Sequence, residues 1–91
     1  MSHRIDKVEH LIKEEISLIF LHKLSHVDLG FITITNVRVS PDHKLAKIYL
    51  SVFEKEKREL VLSKIEDKKG FIRSELAHRI RIKFIPELKF F

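Results

Sequence analysis

Ninety-one residues, 44% hydrophobic and 34% charged with two Gly and two Pro, suffice for one core and not for two. That balance excludes a disordered chain, and with no cysteine there is neither a disulfide nor a thiolate metal site, which fits a reducing, cytoplasmic setting. No apolar run approaches the roughly 18 residues of a membrane span, and the opening MSHRIDKVEH is too charged for the apolar part of a signal peptide.

The elements follow from periodicity. From Arg4 to Leu24 the apolar positions Ile5, Val8, Leu11, Ile12, Ile16, Ile19 and Phe20 recur at three- and four-residue steps, predicting an amphipathic helix with Ser2 as its N-cap. Ser25 to Gly30 breaks the pattern and reads as a loop. Phe31 to Ser40 is rich in β-branched residues and predicts a strand. Ile32 and Ile34 point one way and Val37 and Val39 the other, so a bulge near Asn36 is expected, because one extra residue reverses every side chain after it. Ser40, Pro41 and Asp42 form a turn, and Leu45 to Phe53 alternates as a second strand, completing a hairpin.

Glu54 to Asp67 predicts a helix with Leu60, Val61 and Ile65 as its seam. Gly70 interrupts it, as a left-handed cap or as a kink. Phe71 to Arg81 predicts a further helix on Ile72, Leu76 and Ile80. Ile82 to Ile85 is expected as a short third strand halted by Pro86. The resulting order predicts an α+β fold, helices packed on one face of a mixed three-stranded sheet.

The formal charge of +5 is not evenly spread. From Lys68 to Phe91 there are seven Lys and Arg against Glu75 and Glu87, whereas residues 1–67 hold eleven of each sign. Such a concentrated basic segment is the footprint of a polyanion partner, since each cation that neutralises a phosphate releases counterions. The candidate RNA-binding residues are Lys68, Lys69, Gly70, Arg73, Arg79, Arg81 and Lys83. Phe71, Phe84, Phe90 and Phe91 are candidate base-stacking groups, with core packing the expected role of Phe71 and Phe84.

The run GFIRSELAHRIRIKFIPELKFF, together with Val37-Arg-Val-Ser-Pro-Asp42, Ala46-Lys-Ile-Tyr-Leu-Ser51 and the opening Arg4, Ile5 and Val8, resembles the ribosome-binding factor A family across essentially the whole chain. The resemblance implies a KH type II-like domain spanning residues 1–91, in the order α-β-β-α-kink-α-β. KH domains ordinarily clamp a nucleic-acid backbone with a GXXG loop; this sequence has none. The family replaces that loop with a helix–kink–helix on Ala-x-Gly, where this chain has Lys68, Lys69 and Gly70. The resemblance also implies a bacterial assembly factor that binds the free 30S subunit, supports processing of 16S rRNA and matters for growth in the cold. On these grounds a non-enzymatic, monomeric RNA binder is expected, with no cofactor, membrane or small-molecule substrate.

Two other classes fit the sequence less well. A basic protein-interaction module or homodimer, pairing through the exposed hairpin edge, would bind nucleic acid no better than any basic protein. A small hydrolase would need acid–base groups desolvated in a pocket. Glu14, Glu15, Glu54, Glu56 and Glu59 instead sit among Lys and Arg on stretches that read as solvated helix faces. His22 and His26 stand four apart at a helix end, but without a third ligand nearby they make a poor metal site.

Overall fold

The computed structural model describes residues 3–82 and 84–91, so the Ser2 cap and Lys83 lie outside the described residues. Helix α1 (His3–Lys23) is followed by strands β1 (Ile32–Val39) and β2 (Leu45–Val52), a 3₁₀ turn over Lys55–Lys57, helices α2 (Arg58–Asp67) and α3 (Lys69–Arg79), and strand β3 (Glu87–Phe90). The sheet order is β1-β2-β3, with β1 antiparallel and β3 parallel to the central β2. This is the α+β order that the sequence predicts, and the helices cover one face of the sheet.

One buried cluster holds the fold together. Helix α1 contributes Ile12, Ile16 and Ile19, at steps of four and three, all fully buried. The sheet contributes Ile34, Val37, Val39, Ala46, Ile48, Leu50, Val52 and Leu88, and the crossover helices add Val61, Ile65, Ile72 and Leu76. The expected bulge is present: Ile34 pairs with Leu50 and Asn36 with Tyr49, leaving Thr35 as the extra residue. Thr35 donates its hydroxyl hydrogen to the Tyr49 carbonyl at 3.2 Å. The bulge is what lets Ile34, Val37 and Val39 all reach the core despite their mismatched spacing.

Gly30 ends the loop before β1 at φ +67°, a left-handed conformation that glycine adopts without penalty. At the hairpin turn Asp42 accepts from the Ser40 hydroxyl at 2.7 Å and the Lys44 backbone N–H at 3.0 Å. The Ser40 bond is the largest of the effects that hold the Asp42 carboxyl below its ordinary range, followed by the Lys44 backbone N–H. His43, next in the chain, has φ 62°. Edge strand β1 is tied to α1 as well: the Val39 N–H donates to Glu9 Oε2 at 2.8 Å.

The third strand is where the structure departs from the sequence pattern. Ile82 to Ile85 is not a strand among its described residues, and β3 instead starts after Pro86, at Glu87. Pro86 is buried and offers no N–H, so ladder pairing begins one residue later, where the Glu87 N–H donates to the Lys44 carbonyl at 2.9 Å. Leu88 fills the core, while Ile82 and Ile85 only pack at its margin. The apolar run before Pro86 imitated a strand, and the proline opens the strand rather than closing it. Replacing Leu88 with Ala is expected to destabilise the protein by about 3 kcal/mol, whereas Leu60→Ala, at a side chain 55% exposed, stays within about 1 kcal/mol. Urea unfolding of the two variants checks the difference.

Candidate nucleic-acid interface

The basic residues of the last quarter sit on the crossover that returns the chain to the sheet. The break between α2 and α3 falls at Lys68, whose φ of −99° and ψ of 6° lie in the sparsely populated bridge region. The Lys68 N–H still donates to the Ile65 carbonyl, and its own carbonyl accepts from Ile72, so the axis changes direction without an unpaired backbone group there. Lys68 is half-buried. Gly70 lies inside the first turn of α3, its φ is not positive, and a Cβ there would meet nothing within 4 Å. Of the two readings of Gly70, the left-handed cap is therefore absent, and the kink between the helices is made two residues earlier by the bridge conformation at Lys68, which any residue can adopt.

Helix α3 buries Ile72 and Leu76, and its cations flank that seam on opposite sides. Arg73 faces the segment before β3: its Nε donates to the Pro86 carbonyl at 3.0 Å and its Nη2 to the Ile85 carbonyl at 2.6 Å. Arg79 turns toward α1, where its Nη1 meets Glu15 Oε1 at 3.4 Å, and its buried Nε has no hydrogen-bond partner. Lys69 pairs with Glu66 at 2.6 Å. Arg81 follows α3, is exposed, and has no ion-pair partner among the described residues. Lys69, Gly70 and Arg73 line a shallow cavity with Glu87 and Leu88 at the β3 edge. The predicted residues thus fall into two groups: Lys69, Gly70 and Arg73 beside β3, and Arg79 against α1, with Arg81 just beyond the helix.

The two phenylalanines expected in the core are outside it. Phe71 is 43% and Phe84 66% exposed. Phe71 follows the unburied Gly70 on the outer side of α3, and Phe84 sits in the non-strand segment where the assumed alternation does not apply. Phe90 packs at the core margin against Phe20, ring centroids 6.3 Å apart, and Phe91 stacks on Tyr49 at 5.3 Å. That second pair is not legible in the sequence, because its formation depends on where β3 begins.

Among the described residues no polar or charged residue is buried, and no group of three or more His, Cys, Asp or Glu gathers as a metal site. His22 and His26 are both exposed. No described helix is long and apolar enough to cross a membrane.

A family model, ribosome-binding factor A, matches residues 4–91. The chain belongs to that family. A relative named ribosome-binding factor A from Thermodesulfovibrio yellowstonii is 47% identical over 87 residues, 96% of this chain and 74% of the relative. The crystal structure of ribosome-binding factor A from Thermus thermophilus superposes with a TM-score of 0.84 at 24% identity, covering 96% of this chain and 93% of that one, and shows the shared fold. A second Thermus thermophilus structure is a homology model of ribosome-binding factor A fitted into a cryo-electron-microscopy map of its complex with the 30S subunit. It matches with a TM-score of 0.68 at 25% identity over 100% of this chain and 92% of that one. The resemblance first visible in the hairpin and tail motifs is therefore a family membership along the whole chain.

Because Gly70 is helical with open space around it, Gly70→Ala is expected to stabilise the protein by about 0.5 kcal/mol through the unfolded chain's reduced freedom. Thermal melting of the variant checks this, and a fall in the midpoint would mean that the kink needs glycine after all.

Proposed function

We propose that residues 1–91 act as a single KH-like RNA-binding domain that binds the free 30S ribosomal subunit and assists late maturation and processing of 16S rRNA. The observation that carries this is the similarity, over the whole chain, to a family member fitted into a map of a 30S complex. The charge distribution agrees with it: the whole excess of +5 sits in residues 68–91, where Arg73, Arg81 and Lys89 are exposed. Arg81 and Lys68 are the groups best placed for phosphates, with Lys83 near Arg81 in the sequence, and Lys69 joins them by exchanging Glu66 for a phosphate. Arg79 and Arg73 are already engaged by Glu15 and by backbone carbonyls, and they take part mainly by holding the segment in place.

The action is non-catalytic. Phosphate contacts position the protein without reading sequence, and a bound protein shifts an rRNA segment between conformations only by its differing affinity for them. The protein works as a cytoplasmic monomer on this account, with rRNA as its partner and no small-molecule substrate. A protein-interaction module is the second reading. It is favoured by one observation, the edge-to-face pair of Phe31 and Phe53, 83% and 77% exposed, with ring centroids 6.2 Å apart.

Cosedimentation of the purified protein with free small subunits, large subunits and whole ribosomes across a salt series tests the proposal. Selective binding to free small subunits is expected, weakening as salt rises, with Arg81→Glu reducing affinity about tenfold. Equal binding to all particles, or an Arg81→Glu variant that binds as tightly as the unaltered chain, would move the interaction-module reading to first place.

A further inference from the structure

The face of the sheet that no helix covers carries two adjacent rows of side chains. In the first, Arg38 of β1 stands opposite Lys47 of β2, and Lys47 opposite Lys89 of β3. All three are exposed and alternate with the buried Val37, Val39, Ala46, Ile48 and Leu88, which places them together on the open face. Among the described residues none has a salt-bridge partner. The row crosses the whole sheet, roughly 10 Å at the usual strand spacing. Like charges directly opposite one another on a sheet are destabilising, so this alignment costs the free protein stability. The strands contain a single acid, Glu87, and it stands opposite Leu45, one row away.

In the second row Asn36 pairs with Tyr49, and Phe91 continues the ladder. The Phe91 N–H donates to the Ile48 carbonyl at 2.8 Å and its carbonyl accepts from Leu50 at 2.9 Å, which sets it beside Tyr49. The two rings are stacked, centroids 5.3 Å apart with 24° between planes, and Phe91 is 40% exposed. Two residues along a strand, roughly 7 Å, separate this ring pair from the cations. A solvated face would account for any one of the lysines. It does not account for three aligned cations beside a stacked aromatic pair.

We infer that the open face of the sheet is a binding surface for single-stranded RNA, with Arg38, Lys47 and Lys89 on phosphates and unpaired bases stacked on Tyr49 and Phe91. Phosphates relieve the repulsion within the cationic row, and ring stacking holds bases with little sequence preference. A duplex keeps its bases stacked internally and cannot use the ring pair. The surface uses none of the Lys68 to Lys83 residues, so it stands apart from the small-subunit contact proposed for them.

Tyr49 is the only tyrosine in the chain, so 3-fluorotyrosine labelling gives one ¹⁹F resonance that reports on this face. The labelled full chain is titrated with a single-stranded oligouridylate of about 12 nucleotides and with an RNA duplex of equal length. The resonance is expected to shift with the single strand and not with the duplex. In fluorescence anisotropy, Tyr49→Thr and Lys47→Thr each weaken single-strand binding about tenfold. Lys47→Thr also raises the thermal midpoint, because it removes the central charge of the repulsive row. A gain in stability joined to a loss of binding is not what a purely structural lysine gives. No shift with the single strand, an equal shift with the duplex, or unaltered binding by Lys47→Thr would overturn the inference. None of these results bears on cosedimentation of Arg81→Glu, which separates the two surfaces.

Discussion

Everything in this molecule hangs on the parallel pairing of β3 to β2. Strand β2 is bonded on both sides, to β1 and β3, and its Ala46 and Ile48 are fully buried against the helices. Returning β3 to run parallel beside β2 demands a crossover, since a tight hairpin can join only antiparallel neighbours. That crossover is α2 and α3, and it carries the cations at Lys68, Lys69, Arg73 and Arg79. Arg73 then fastens the return by donating to two carbonyls just ahead of β3. The same guanidinium that looks like a ligand for phosphate in the sequence is thereby part of the fold, and reversing its charge would disturb packing as well as binding.

Most of the architecture is legible in the sequence because hydrophobic period and burial coincide. Ile12, Ile16 and Ile19 show a helical stripe, and the reversal between Ile34 and Val37 exposes the bulge before any pairing is known. The failures are local and share a cause. Ile82 to Ile85 has strand composition, but composition does not say on which side of Pro86 the ladder opens. A strand ending before Pro86 puts Phe84 in the core and leaves Phe91 away from Tyr49, whereas a strand starting at Glu87 exposes Phe84 and sets Phe91 on Tyr49. Gly70 reads in the sequence as either a left-handed cap or a kink, yet the break is a bridge-region turn at Lys68, which needs no glycine.

The candidate site was less legible than the fold. Clustering of charge along the chain is visible in the sequence, but clustering in space is not. Arg73 and Arg79 are six residues apart on one helix, and they turn to opposite flanks of the Ile72 and Leu76 seam. Conversely, Arg38, Lys47 and Lys89 are scattered in sequence and brought into one row by strand register. The first 67 residues are neutral as a block, so counting charge by segment passes over Arg38 and Lys47. Register, which depends on the bulge at Thr35, is what aligns them.

The most direct test of the central claim, that the cations of the crossover engage small-subunit RNA, is differential lysine acetylation read by mass spectrometry. The protein is labelled alone and on purified 30S subunits. Protection of Lys68, with Lys7 and Lys23 of α1 reacting as in the free protein, is the predicted result. Protection of Lys7 and Lys23 instead, with Lys68 still reactive, would place the ribosome against the wrong side of the molecule and contradict the account.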